Sequence, residues 1–194
     1  SSNNGMGMAG VSWGAKIVPV RVLGKCGGWD SDIQAGMRWA AGLAVPGVPN
    51  NPNPARILNL SLGGEGACGA SYQSAVSAVV AQGALIVAAA GNGQDTPGNE
   101  GGIAVSAPAN CSAFSGGMLA VAGLRHAGTK VGFSNLGPEV GISAPGGNCG
   151  STSGACLYTI LSASNSGTKA PVSADNVYAS GTGTSFSTPL VAGT

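Results

Sequence analysis

The sequence predicts an α/β domain of three layers, in which helices cover both faces of a mostly parallel sheet. Segments with a strand pattern alternate along the chain with segments of helical periodicity, as in parallel α/β folds. The strand segments are near-continuous apolar runs, such as residues 84–90, and parallel strands of this kind are buried on both faces. The 194 residues are the length of one domain, and the 43% that are hydrophobic suffice for a sizeable core.

Five strands are predicted from apolar runs that are ended or interrupted by Gly or Pro. They cover residues 15–23, 56–62, 84–90, 118–124 and 140–144. The first contains Pro19, which indicates an edge strand or an irregularity.

Two helices are predicted between the strands and a third at the end of the chain. Residues 31–44 repeat apolar side chains at helical spacing, with Ser31 as a plausible N-cap. Residues 71–82 are predicted to form the second helix, with Gly83 as its C-cap. The third begins near Ser185, close to the last residue, so we expect a fragment of a longer domain, truncated at both ends.

Charge and hydropathy exclude several classes of partner. Eight Lys and Arg oppose seven Asp and Glu, for a net charge of +1, whereas binding to nucleic-acid phosphates needs clustered cations. No apolar run approaches the roughly 20 residues that span a bilayer. We therefore expect neither nucleic-acid nor membrane partners, and we also expect a monomer.

Five cysteines without a C-x-x-C pair exclude a zinc ribbon, and with the low charge they indicate a secreted protein with disulfides. Cys149 and Cys156 enclose a short Gly/Ser/Thr loop and are the best candidate pair. Cys26 with Cys68 is a weaker candidate, which leaves Cys111 over.

Two familiar motifs occur in the wrong context. Residues 5–10 fit G-x-G-x-x-G and Asp30 lies 20 residues after the last glycine of the motif, but that dinucleotide motif needs a strand before it and a helix after it. Residues 10–14 fit G-x-S-x-G, and the nucleophile elbow needs the same order. Here a polar loop precedes and a strand is predicted to follow, so neither motif is favoured.

A third pattern, residues 181–193, places Ser185 in the first turn of a predicted helix. Unpaired N–H groups and the positive end of the helix dipole suit a nucleophile whose attack creates an oxyanion. A Ser/Thr-rich helix cap explains the same residues, and their chemistry alone does not decide between the two.

Residues 183–189 (GTSFSTP) resemble the nucleophile motif of the subtilisin-like serine peptidases, or subtilases. Residues 17–24 (IVPVRVLG), 59–64 (NLSLGG) and 88–92 (AAAGN) resemble further segments of that family, in family order. The resemblance implies the subtilisin-like fold, and that residues 1–194 are part of a peptidase catalytic domain.

The resemblance also implies roles for individual residues. Ser185 would be the acylating nucleophile, and the Asn92 amide with the Ser185 backbone N–H would bind the oxyanion, assisted by Thr184. The substrate-binding residues would be Ser61, Leu62, Gly63, Ala89 and Gly91, with Gly27 and Gly28 at an opposite edge. These walls are small and uncharged, which implies a broad preference for apolar or large residues before the scissile bond.

The base and the carboxylate that such a serine needs are not evident in the sequence. The only histidine, His126, lies in a polar segment between two predicted strands and is interpreted as a solvated turn residue. The family order Asp, His, Ser implies that both partners lie upstream of Ser1, so this chain alone is expected to be inactive. Alternatives are a catalytically inactive relative that binds extended peptides and a nucleotide-binding α/β module.

Residues 2–8 resemble the calcium loop of the family. The Asn4 side chain and the carbonyls of Ser2, Met6 and Met8 would supply hard oxygen ligands for a structural calcium ion. Asn4 fits a surface turn residue equally well. We expect no cofactor for the chemistry, which would act on peptide or protein substrates.

Overall fold

The computed structural model of the chain describes residues 5, 7–93, 103–148, 158–173 and 176–194. The helices are α1 (Asp30–Ala40), α2 (Ala70–Ala81) and α3 (Thr184–Ala192), with a short 3₁₀ helix over Ala109–Phe114. The strands are β1 (Ile57–Leu60), β2 (Leu85–Ala89), β3 (Met118–Leu124), β4 (Val140–Pro145), β5 (Ile160–Asn165) and β6 (Asn176–Gly181).

Strands β1 to β4 form one parallel sheet in the order β1-β2-β3-β4. The chain crosses the sheet one strand at a time, and α2 makes the connection from β1 to β2. Because all four strands run the same way, their carboxyl ends meet at one edge, where ligands bind in open α/β sheets.

Alternate residues of β2 pack against opposite helical layers. Ile86 lies in the larger core cluster with side chains of α1 and α2, whereas Val87 packs with Val121 and with Leu190 of α3. Ile86, Val87 and Val121 are fully buried. The three-layer α/β prediction is therefore confirmed.

Helix α1 differs from the predicted residues 31–44 at both ends. It ends at Ala40, and Gly42 turns the chain with a φ of +90°. The N-cap is Trp29, whose carbonyl accepts from the N–H groups of Asp32 and Ile33, so the prediction of Ser31 is wrong. The cause is that the helix begins one residue before Ser31, with Asp30.

Helices α1 and α2 are joined by a polar contact as well as by the core. The Tyr72 hydroxyl of α2 donates to the Asp30 carboxylate of α1 at 2.9 Å. Burial, together with this hydrogen bond and the negative charge of Asp30, raises the pKa of the Tyr72 phenol above its usual range. The phenol therefore stays protonated and remains a donor well into alkaline pH.

The predicted strand over residues 15–23 is wrong. None of its residues pairs with a described strand, and Ile17 is 86% exposed. An apolar β-branched run becomes a strand only when a neighbour bonds its backbone. Of this segment, Val22 packs against the core from its place beside Gly36 of α1.

Strands β5 and β6 form an antiparallel hairpin that was not predicted from the sequence, and it pairs Ile160 with Gly181 and Asn165 with Asn176. Strand β5 contains polar Ser162 and Ser164 and therefore lacks the apolar run that marked the other strands. The hairpin ends directly before α3, so it delivers the chain to that helix.

One disulfide joins Cys68, just before α2, to Cys111 in the 3₁₀ helix. Both cysteines are buried in the larger core cluster. The predicted pair Cys26–Cys68 is therefore wrong, as is the expectation that Cys111 is left over, and Cys26 is an exposed free thiol. Sequence spacing could not show this pairing, since 43 residues separate the partners. The predicted pair Cys149–Cys156 lies outside the described residues.

Candidate active site

Glycine shapes the turn after β2, at the carboxyl edge of the sheet. Gly91 has a φ of +108°, which L side chains rarely adopt. A Cβ atom at Gly91 would also collide with the side chains of Ser106 and Asn135. This turn places Asn92 just beyond the strand.

A second glycine lets the start of α3 approach that turn. Gly183 has a φ of +145°, and its N–H donates to the Gly146 carbonyl at 2.8 Å. A Cβ atom on Gly183 would lie 3.2 Å from Asn92 Nδ2. The close approach of the two segments therefore depends on the missing side chain.

Thr184 fixes the orientation of Asn92. Asn92 Oδ1 accepts from the Thr184 N–H at 2.8 Å and from Thr184 Oγ1 at 3.0 Å. Thr184 Oγ1 in turn accepts from the Gly91 N–H at 3.2 Å, and Thr184 is fully buried. With Oδ1 committed to Thr184, Asn92 Nδ2 is left as a donor that bonds to none of the described residues.

Ser185 is bonded to the end of β1 in both directions. Its Oγ donates to the Ser61 carbonyl at 3.2 Å, and Ser61 Oγ donates to the Ser185 carbonyl at 2.8 Å. The Ser185 N–H belongs to the first turn of α3, where helix N–H groups have no intrahelical acceptor. In the part of the chain that the structure describes, neither an imidazole nor a carboxylate bonds to Ser185.

A cavity of about 710 Å³ lies between these segments. Several residues predicted from the sequence line it, namely Leu62, Gly63, Ala89, Gly91, Asn92, Thr184 and Ser185. Ser61 lies behind Ser185 and does not line the cavity. Gly27 and Gly28 do not line it either, and Gly27 lies in a tight turn in which it exchanges two backbone hydrogen bonds with Gly24.

Six other residues line the cavity that were not predicted from the sequence as site residues: Gly64, Glu65, Gly93, Ile103, Ser106 and Asn135. Gly64 lies within the segment 59–64, Glu65 directly follows that segment and Gly93 follows the segment 88–92, so these two segments were the available signal. Ile103, Ser106 and Asn135 come from segments without a motif, and only the fold brings them here. Ser106 reaches the site because its N–H donates to the Ala90 carbonyl at 2.8 Å.

The remaining predicted residues lie away from the cavity or are not described. His126 is exposed in the turn after β3, and its ring stacks on Tyr158 with centroids 3.8 Å apart. Asn4, Ser2 and Met6 lie outside the described residues, so the structure does not test the calcium loop. Within the described ranges, no three His, Cys, Asp or Glu side chains are grouped to hold a metal ion.

The sequence matches a known family over residues 1–194, and that family is described as the subtilase family. The chain belongs to the subtilase family. This subtilase chain is 45% identical over 192 residues to an extracellular protease of Xanthomonas campestris, covering 99% of the chain and 29% of the relative. It is 42% identical over 192 residues to an extracellular basic protease of Dichelobacter nodosus, covering 99% of the chain and 28% of the relative.

A solved structure agrees with the fold of this subtilase. It is titled as proteases from Pseudoalteromonas arctica, and it has a TM-score of 0.83 and 40% identity. The match covers 98% of the chain and 52% of the solved chain. The chain thus spans about half of that structure and less than a third of the two bacterial relatives. In the described part of the chain, no helix has the length and apolar character needed to cross a membrane.

Proposed function

We propose that the protein is a serine endopeptidase that hydrolyses peptide bonds through an acyl-enzyme on Ser185. The observation that carries this proposal is the pair of hydrogen bonds from Thr184 to Asn92 Oδ1. They hold Asn92 beside the start of α3, and Asn92 and Ser185 both line one cavity.

The oxyanion would be bound by two donors that the described residues leave available. Attack of Ser185 Oγ on a scissile carbonyl moves negative charge onto the carbonyl oxygen. Asn92 Nδ2 and the Ser185 N–H are the proposed donors, and Thr184 holds the first of them in place. Fixed donors of this kind stabilise the charge without reorganising at the moment of reaction, and the chemistry needs no cofactor.

The proton of Ser185 needs an acceptor, and none of the described residues supplies a base near the hydroxyl. The Ser185 hydroxyl donates to a carbonyl, which is not a general base, and His126 is in an exposed turn outside the cavity. We therefore propose that the base and its orienting carboxylate come from outside these 194 residues. On that basis the 194-residue polypeptide alone has no triad-dependent activity.

The proposed substrates are peptides with an apolar or large residue before the scissile bond. Leu62, Ala89 and Ile103 supply apolar wall, and Glu65 is the one charged residue among the described residues that line the cavity. A carboxylate there disfavours an acidic side chain. Peptides that differ only at this residue should give the highest kcat/KM for Phe or Leu and the lowest for Asp. Fastest cleavage after Asp would refute this specificity.

Secretion, a monomeric state and the calcium loop with Asn4 remain part of the proposal. Secretion is supported by the relatives named extracellular proteases and by the disulfide between Cys68 and Cys111. Peptides and proteins are the proposed partners.

A fluorophosphonate probe tests the proposed chemistry, because it phosphonylates a serine that is activated as a nucleophile. In the full-length gene product, whatever residues it has beyond these 194, we expect labelling at Ser185. Labelling should disappear in Ser185→Ala and persist in Ser187→Ala. Binding of extended peptides without any labelling would instead identify a catalytically inactive relative.

A further inference from the structure

The buried side chain of Asn135 lies directly behind the turn that presents Asn92. Asn135 is 3% exposed, and its Oδ1 accepts a hydrogen bond from the Gly93 N–H. Its backbone N–H donates to the Gly91 carbonyl at 3.0 Å. Asn135 therefore holds the residues on both sides of Asn92.

The other end of the same amide reaches the wall of the cavity. Asn135 Nδ2 donates to the Ala104 carbonyl at 3.0 Å and to Ser106 Oγ at 3.2 Å. Both the oxygen and the nitrogen of the side chain thus bond to protein groups. Asn135 contacts the cavity, but its polar atoms are already committed, so its effect on a substrate would be exerted through its neighbours.

The surroundings fit an asparagine side chain closely. A Cβ atom on Gly91 or on Gly93 would collide with the amide of Asn135, so two glycines leave the space that it fills. The site needs an acceptor for Gly93 and donors for Ala104 and Ser106. An aspartate would keep the acceptor and lose the donors, and an alanine would lose both.

We propose that Asn135 is a positioning residue that aims the Asn92 amide at the oxyanion by fixing the turn over residues 91–93. The catalytic part of this inference rests on the proposed function of Asn92. Asn92 has little freedom to move, because the buried Asn135 amide holds one side of the turn and Thr184 holds the other. Such preorganisation is what makes an oxyanion donor effective.

Asn135→Asp and Asn135→Ala in the full-length gene product test this role. A donor displaced by a fraction of an ångström loses much of its effect, so kcat should fall about 10- to 100-fold while KM changes less than about threefold. The matched control is Asn51→Ala. Asn51 is also a buried asparagine, bonded to the carbonyls of Trp39 and Ala40 and to the Asn53 N–H, but it lies outside the cavity. This control should lower the unfolding midpoint and leave kcat unchanged.

A double-mutant cycle separates positioning from general destabilisation. If Asn135 acts through Asn92, Asn135→Asp should lower kcat less than about threefold once Asn92→Ala has removed the donor. An unchanged 10- to 100-fold loss in that background would overturn the inference. So would a kcat in both Asn135 variants equal to that of Asn51→Ala.

A measurement without turnover keeps the inference independent of the proposed function. In NMR spectra, Asn135→Asp should shift the Asn92 side-chain amide signals and speed hydrogen exchange at the Gly93 N–H, whereas Asn51→Ala should do neither. If the unmodified protein is inactive but these signals respond, the proposed function fails and the positional role of Asn135 holds. If they do not respond, the positional role fails whatever the activity.

Discussion

Helices α2 and α3 pack on opposite faces of the same sheet and bury different kinds of side chain. Helix α2 buries Tyr72, Ala75, Val76 and Val79, which belong to or adjoin the larger core. Helix α3 buries three hydroxyl-bearing residues, Thr184, Ser187 and Thr188, each fully. Buried hydroxyls stabilise a fold less than buried methyl groups do. The buried face of α2 therefore contributes more to stability than the buried face of α3.

The hydrogen bonds of these hydroxyls link α3 to the proposed site. Thr184 Oγ1 bonds to Asn92 and accepts from Gly91, and Thr188 Oγ1 donates to the Thr184 carbonyl at 2.7 Å. These bonds run to the turn after β2 or along the start of α3 itself. We therefore expect substitutions in α2 to change stability alone, and those at the start of α3 to change activity.

The largest effect is expected for Ser185→Ala in the full-length gene product. Removing the nucleophile from a Ser-His-Asp enzyme costs about 10⁶-fold in kcat, whereas the 3.2 Å bond to the Ser61 carbonyl contributes little to stability. Peptide hydrolysis should therefore be lost while the thermal unfolding midpoint stays nearly unchanged. If the variant still hydrolyses peptides, α3 does not supply the nucleophile and the proposed difference between α2 and α3 is wrong.

Val79→Ala is expected to have the next largest effect, and only on stability. Val79 is fully buried in α2, so the lost methyl groups and the resulting cavity should lower the free energy of unfolding by about 2–3 kcal/mol. Urea unfolding measures this loss, and Ser77→Ala on the exposed side of α2 is the control, with a change within about 0.5 kcal/mol. A fall in kcat of the folded Val79 variant would contradict the division between the helices.

Thr184→Val should affect both stability and activity. Valine keeps the volume but leaves the partly buried Gly91 N–H without its acceptor, at a cost of about 1 kcal/mol. Asn92 keeps its bond from the Thr184 N–H and loses the one from the hydroxyl, so kcat should fall about 10-fold. Thr184→Ser keeps the hydroxyl and should retain most of the activity. Equal activity in the Val and Ser variants would show that the hydroxyl does not position Asn92.

The sequence predicted the elements that are specified locally. The strand over 118–124 has the predicted bounds, and β1, β2 and β4 differ from their predictions by no more than two residues at either end. The apolar runs that marked them are bonded to neighbouring strands. Residues 15–23 carry the same pattern without a described partner strand, and this is why the prediction failed there.

The residues of the candidate site also fall into two groups, those that a local sequence pattern marks and those that only the fold brings together. Residues 88–92 and 183–189 could be singled out because glycines and a hydroxyl at a helix start leave a local pattern. Asn135, Ser106 and Ile103 could not, since a buried asparagine in a loop and two residues in the irregular segment before the 3₁₀ helix have no pattern until the fold brings them together. The Cys68–Cys111 disulfide was missed for the same reason.

The smallest expected effect, Ser187→Ala, is an increase in stability. Ser187 Oγ is fully buried and bonds to none of the described residues, and a Cβ atom on Gly146 would lie only 2.7 Å from it. A buried hydroxyl without a partner costs about 1–3 kcal/mol, so alanine should raise the free energy of unfolding by about 1 kcal/mol. Thr188→Val is the matched control one residue on, because it removes a hydroxyl that is bonded and should therefore destabilise. We expect thermal unfolding to show a higher midpoint for Ser187→Ala and a lower midpoint for Thr188→Val. A loss of stability in Ser187→Ala would mean that this hydroxyl has a bonding partner in solution and that α3, like α2, is packed for stability along its whole buried face.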